Sequence, residues 1–296
     1  MNSYVSMRIG LIIASYGRPG LIEEVLSTIA RQVRRPDEIV LSLVSDEDAP
    51  TNLPHALSVN TIYSTPGLCA QRNAALAFLR DQVDVVLFID DDFWMSATYL
   101  CELERIFVAD ESIVAATGLV LADGATTAGI SIEEAEKFLD DYVHSQRPKH
   151  LIRDVPTTYG CNMAFRTSQI LSLRFDERLP LYGWQEDVDF SAQLRGRGRI
   201  IWTNSLWGVH LGTKKSKVSG VRFGYSQVIN PLFIFCKGNM PLRRAVYLIC
   251  KNIAANAAKS VHPEHYVDRW GRLKGNLFGL LDVLSGKLDP MRVLKL

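Results

Sequence analysis

Asp84-Val85-Val86-Leu87-Phe88-Ile89-Asp90-Asp91-Asp92-Phe93 is the stretch from which the fold can be read. Its apolar centre is short and, apart from Leu87, β-branched or aromatic. That pattern predicts a strand buried on both faces. Three carboxylates follow at once. An unpaired carboxylate loses its hydration on burial, so the acids belong where the strand leaves the sheet. In open α/β sheets, ligands bind beyond the carboxyl ends of the strands. Hard oxygen ligands at such a rim suit Mg²⁺ or Mn²⁺, ions that commonly hold a substrate diphosphate. A solvated acidic turn is the other reading of the same triplet.

Working outward, residues 8–14 predict a first buried strand, closed by the turn Ser15-Tyr16-Gly17-Arg18-Pro19-Gly20. Residues 21–32 have helical spacing, residues 38–44 form a second strand ending in Ser45-Asp46-Glu47-Asp48, and residues 61–63 form a third. A helix over 67–79 precedes the central strand. This alternation predicts βαβ units and a mostly parallel sheet. Beyond Asp92, residues 97–109 and 131–142 read as helices, the second opened by a capping box at Ser131 and Glu134. Residues 113–121 and 159–165 read as strands, 167–173 as a helix, and 200–202 and 206–210 as two short extended pieces. Residues 144–154 form a polar loop and 212–223 a basic, flexible segment. Pro231 breaks the apolar run 228–235. Helices follow over 241–259 and 270–281.

The 296 residues carry a formal net charge of only +1, but the charge is unevenly spread. Residues 211–296 hold 15 Lys or Arg against 4 Asp or Glu, while the first 210 hold 18 against 28. This suggests an acidic catalytic body, 1–223, and a basic, mainly helical extension, 224–296. The extension would rest on a membrane surface, pack on the body, or form a homodimer. No signal peptide or membrane span is expected, and five scattered cysteines predict a reduced, cytoplasmic chain, peripheral at the inner face of the cell membrane if the tail binds lipid. No GxxxxGK[ST] loop and no GxGxxG follow the first strand, so kinase, GTPase and dehydrogenase readings lose their main support. A nucleic-acid partner is not expected.

Five places could carry chemistry. Ser15, Tyr16 and Arg18 could face a nucleotide, or simply form a strand–helix turn. Asp46 could accept from a base or ribose, or be a solvated turn acid. Arg72 and Asn73 sit early in a helix, where Arg72 could bind a diphosphate or pair with Asp90 or Asp91. Glu186 and Asp187, between Trp184 and Phe190, could be helix-capping acids. Alternatively, apolar walls would raise such an acid's pKa and fit it to take a proton from a hydroxyl. His210 could be an imidazole ligand to the same metal as the aspartates, with Lys214 and Lys215 meeting phosphate.

In this order the motifs resemble the family 2 glycosyltransferases with the GT-A fold, over roughly residues 8–215. The resemblance rests on Ile12–Arg18, Asp46, Gly67–Asn73, Asp90 and Asp92 as an Asp-x-Asp, Gly160–Ala164, Glu186-Asp187 and His210. One departure is that the second strand ends in Ser-Asp-Glu-Asp, leaving the nucleotide-contacting acid open among Asp46, Glu47 and Asp48. The resemblance implies an α/β GT-A domain with helices on both faces and a helical C-terminal extension. It implies inverting, metal-dependent transfer of a sugar from a nucleotide diphosphate sugar to a hydroxyl of a glycan or lipid-linked acceptor, in bacterial surface-polysaccharide assembly. Asp90, Asp92 and His210 would hold Mg²⁺ or Mn²⁺. Ser15, Tyr16, Arg18, Asp46, Arg72, Asn73, Asp90 and Asp91 would line the nucleotide site. Asp187, or Glu186 in its place, would be the base. A sugar nucleotidyltransferase and a catalytically silent nucleotide-sugar-binding scaffold are the competing readings.

Overall fold

The structure, a computed structural model, describes residues 6–145, 150–213 and 219–296. Lys214, Lys215 and the centre of the polar segment 144–154 lie outside the described residues. Two compact units emerge. One comprises Met1–Pro66, Ala70–Arg174 and Leu194–Lys215; the other comprises Gly67–Cys69, Phe175–Gln193 and Ser216–Leu296.

The first unit contains the sheet. Its strands are β1 (Ile9–Ala14), β2 (Glu38–Leu43), β3 (Val59–Tyr63), β4 (Val85–Asp90), β5 (Phe93–Met95), β6 (Ile113–Asp123), β7 (Ile152–Asp154), β8 (Asn162–Arg166) and β9 (Arg199–His210). The order is β3-β2-β1-β4-β8-β6-β9-β5, with β7 also on β9. β3, β2, β1 and β4 are parallel to one another, as are β6 and β9, while β8 is antiparallel to both its neighbours. Since β8 reverses between β4 and β6, those six strands run one way, and the sheet is mostly parallel as expected. The strand predicted over residues 85–89 is buried along its whole length.

Helices flank both faces. Ile9, Leu11 and Ile13 share one core with Val25 and Ile29 of α1 (Pro19–Ala30) and with Leu103 and Phe107 of α3 (Tyr99–Ala109). On the other face, α2 (Leu68–Leu79) comes so close that a Cβ at Gly10 would sit 2.7 Å from Leu79 Cδ1. Glycine at that position sets the helix–sheet distance. α4 (Ile132–His144) begins with the capping box of Ser131 and Glu134 read from the sequence. α5 is a single turn, Thr167–Ile170, shorter than predicted. Residues 200–202 and 206–210 belong to one strand, β9. It passes an irregularity against β6 between the Gly118–Thr203 and Leu119–Trp207 pairs, which breaks the alternation that a continuous strand would show in sequence.

The second unit holds α6 (Glu186–Ala192), α7 (Gly220–Cys236), α8 (Leu242–Lys259) and α9 (Arg269–Leu284). Pro231 does not end a helix; it lies inside α7. A proline there removes the bond its N–H would make one turn back, to the carbonyl of Gln227. α7 and α9 meet backbone to backbone. A Cβ at Gly275 would lie 2.0 Å from the Val221 carbonyl oxygen, and one at Gly224 2.1 Å from that of Arg272. The helices are joined by amides as well as by apolar packing. Asn256 Nδ2 donates to Gln227 Oε1 and to Asn276 Oδ1, each at 2.9 Å, and Asn276 Nδ2 donates to the Gly224 carbonyl at 2.8 Å. A smaller apolar cluster of Tyr225, Ile229 and Val293 lies beside them.

Candidate active site

Register brings the acids together with groups far away in sequence. β1 and β4 run side by side with Ala14 opposite Asp90, so Ser15 and the acidic triplet leave the sheet at one edge. β5 starts at Phe93, immediately after the triplet, and pairs with β9 so that Phe93 faces His210. The Leu211 N–H donates to the Asp92 carbonyl at 2.9 Å. β6 places Asp123 opposite the same histidine.

Asp90, Asp92 and His210 each offer a ligand atom within 4.8 Å of the others. His210 Nε2 is 3.2 Å from Asp92 Oδ1 and 3.7 Å from Asp90 Oδ2. Its Nδ1 donates to Asp123 Oδ1 at 2.9 Å, which settles the ring orientation and aims Nε2 at the acids. Asp123 also accepts from the Tyr159 hydroxyl at 2.7 Å. The sequence reading passed over Asp123. Its signal was an acid closing an apolar strand, the same signal that marked Asp46 and Asp90.

Three cationic side chains balance the triplet. Arg72 Nη2 donates to Asp90 Oδ1 and to the Gly160 carbonyl, both at 2.9 Å, and the residue is 1% exposed. The pairing with Asp90 that its place in the sequence allowed is present. Asp91 faces Ser15 Oγ and Arg18, whose Nη1 lies 2.8 Å from Asp91 and 3.6 Å from Asp92. Burial raises the Asp91 carboxyl to about 7, tempered by Arg18. Burial also raises Asp90, tempered by Arg72 and His210. For Asp92, burial is outweighed by the hydrogen bond and charge of His210, and the net shift is downward. Burial would lower His210, but hydrogen bonds to Asp123 and Asp92, with the charges of Asp92 and Asp90, raise it to about 10. A divalent cation would compete with that proton for Nε2. Two carboxylates and one oriented imidazole form a donor set that fits Mn²⁺ or Mg²⁺.

The other predicted residues of this unit have distinct settings. Tyr16 is exposed on the loop after β1, and Asn73 is buried beside Arg72 on α2. Of the three acids after β2, Asp48 is buried and accepts from the Gly17 N–H at 2.6 Å and the Ser45 N–H at 3.1 Å. It holds the two loops together. Asp46 and Glu47 are exposed, and Asp46 bonds the Tyr63 hydroxyl, raising that phenol's pKa.

Glu186 and Asp187 lie in the second unit, in the first turn of α6. Gln185, just before them, has φ of 74° and Leu181 has φ of 60°. Non-glycine residues in that region cost about 1–3 kcal/mol each and cluster at functional turns. Glu186 is buried and Asp187 partly so. Behind them, Asp189 is fully buried and accepts from Lys237 Nζ at 2.6 Å and Asn239 Nδ2 at 2.8 Å. Lys237 also reaches Asp176 at 2.7 Å. This anchor was not foreseen, because nothing in the sequence pairs the lysine just beyond α7 with an acid of α6.

The sequence model for "Glycosyl transferase family 2" matches residues 11–171, more than half of the chain. A sequence comparison with curated proteins gave no match. The fold is similar to that of mannosyltransferase PcManGT from Pyrobaculum calidifontis in complex with GDP-Man and Mn²⁺. That likeness has a TM-score of 0.54 and 16% identity, and covers 98% of this chain and 86% of the other. GalNAc-T7 with UDP, GalNAc and Mn²⁺ gives 0.50 at 11% identity, over 99% of this chain and 56% of that one. TarS residues 1–349 from S. aureus, in complex with UDP-GlcNAc, gives 0.47 at 18% identity, over 76% and 66%.

Proposed function

The chain belongs to glycosyl transferase family 2, and we propose that this glycosyltransferase moves a sugar from a nucleotide diphosphate donor to an acceptor hydroxyl with inversion. The observation that carries the reading is the convergence of Asp90, Asp92 and His210 at the rim of the sheet. Solved proteins of the same fold were captured with GDP-Man and Mn²⁺ or with UDP, GalNAc and Mn²⁺, which is consistent with it.

Asp90, Asp92 and His210 are the ligands in this reading. When bound, Mg²⁺ or Mn²⁺ supplies positive charge to the leaving diphosphate. Arg72 acts through Asp90, holding its carboxylate in place. Asp123 does the same for the imidazole of His210. Asp91 ties the loop of Ser15 and Arg18 to the end of β4, leaving Tyr16 exposed for a nucleotide. Asp187 takes the proton of the acceptor hydroxyl, with Glu186 the second candidate. The new bond forms between the acceptor oxygen and the anomeric carbon. The bond from that carbon to the diphosphate oxygen breaks, and its electron pair leaves with the diphosphate. The acceptor is a glycan or a lipid-linked glycan.

The test starts from a thermal-shift screen of nucleotide diphosphate sugars with Mn²⁺. The donor found there is then followed by release of nucleotide diphosphate. Asp187→Asn is expected to lower turnover by about 10²–10⁴-fold, the usual worth of a positioned base, with donor binding unchanged. Near-normal turnover with intact binding would remove Asp187 from the mechanism.

A further inference from the structure

α9 is amphipathic in the reverse of the usual sense. A surface helix ordinarily turns its apolar stripe inward and its polar face to water. Here Gly275, Asn276, Gly279 and Asp282 are buried. Trp270, Leu277, Leu281 and Leu284 stand outside, 67%, 54%, 50% and 84% exposed. With Leu280 they fall on one arc of roughly 100° at helical spacing. α8 adds exposed Leu242, Val246 and Tyr247. Large apolar side chains gathered in the open on one face of a helix mark a binding surface.

Charge selects the occupant. Residues 219–296 carry 12 Lys or Arg against 4 Asp or Glu, with Lys274 and Lys287 exposed on and just beyond α9. A second copy docked here would set this surplus against itself, which disfavours association. Anionic headgroups would neutralise it. An indole and several leucines flanked by lysines match what lies in the boundary between headgroups and acyl chains. Among the described residues, no helix is long and apolar enough to cross a membrane. We infer that α9 lies flat on an anionic lipid surface, with Trp270, Leu277, Leu281 and Leu284 inserted and Lys274 and Lys287 at headgroup level.

Flotation of the full chain with vesicles tests this without donor or acceptor, so the outcome is independent of the transfer reaction. The vesicles are phosphatidylcholine with and without phosphatidylglycerol. The protein should float with the anionic vesicles, less so at high salt, and not with pure phosphatidylcholine. Leu277→Gln with Leu281→Gln should lower partitioning by about tenfold or more. Lys274→Gln and Lys287→Gln should each lower it about fivefold. Both pairs are exposed, and unchanged circular dichroism and melting would show that the fold persists. If the leucine pair fails to fold, the lysine pair still decides. Overturning results are no flotation with anionic vesicles, equal flotation with both kinds, or variants that float like wild type. A concentration-dependent dimer that the leucine pair abolishes, without flotation, would make a second copy the occupant and also overturn the inference.

Discussion

Replacing Arg72 by methionine should destabilise the first unit strongly. The guanidinium makes two 2.9 Å bonds, to Asp90 Oδ1 and the Gly160 carbonyl, and the side chains of Arg72 and Asp90 are 2% and 16% exposed. Methionine fills most of the stem's volume, so little of the effect comes from a cavity. What remains is a carboxylate left with His210, 3.7 Å away, to balance it, and a carbonyl that has lost a donor. Breaking a buried pair from one side typically costs about 3–5 kcal/mol, because the other charge stays behind. For a chain of this length that corresponds to a fall in Tm of roughly 6–10 °C. Both bonds come from the one nitrogen Nη2, which the planar guanidinium holds between its two acceptors; lysine keeps the charge but not that fixed placement, so Arg72→Lys should recover only part of the loss. Urea denaturation followed by tryptophan fluorescence measures both. If Arg72→Met lies within about 0.5 kcal/mol of wild type, the pair contributes nothing and the reasoning is wrong.

Three further outcomes are expected. Gly275→Ala puts a methyl 2.0 Å from the Val221 carbonyl oxygen and should destabilise the C-terminal unit by about 1–3 kcal/mol or more, seen in thermal melts. Burial would raise the Asp176 carboxyl, but hydrogen bonds from Arg178 and Lys237 outweigh it and hold the group far below the usual carboxylate range. Its pairing therefore stabilises the fold above the unfolded pKa of about 3.9 and fades as pH falls through the lower folded value. The stability gap between wild type and Lys237→Met, compared by urea denaturation, should accordingly narrow on acidification. Chelation should abolish nucleotide release, Mn²⁺ or Mg²⁺ should restore it, and Asp92→Ala should leave nothing for the ion to restore; turnover indifferent to chelator would refute a metal-dependent site.

The parts of this chain that the sequence revealed are those where one residue type has one reason to be where it is. Val85–Ile89 could be placed because an apolar run between acids has few solutions, and the resemblance to glycosyltransferases stood on such places. His210 could be suspected, but not its orientation, which depends on Asp123 across a strand pairing that no local pattern records. Asp48 was an alternative to Asp46 among the turn acids, and nothing local showed that it would turn towards Gly17. Pro231 was misread because the proline rule is local, whereas α7 is held by amides from two other helices. Arg72 could be suspected of pairing with Asp90, but not of sharing its Nη2 with the Gly160 carbonyl, which comes from a strand connection far away in sequence.

The contact of α7 and α9 has a mechanical consequence. Where two backbones touch, neither helix can roll about its own axis. Advancing α9 by a single residue, about 100° of rotation, would drive Lys274 or Asn276 into the space that Gly275 leaves. The compass bearing of the leucines is thus fixed by a residue with no side chain.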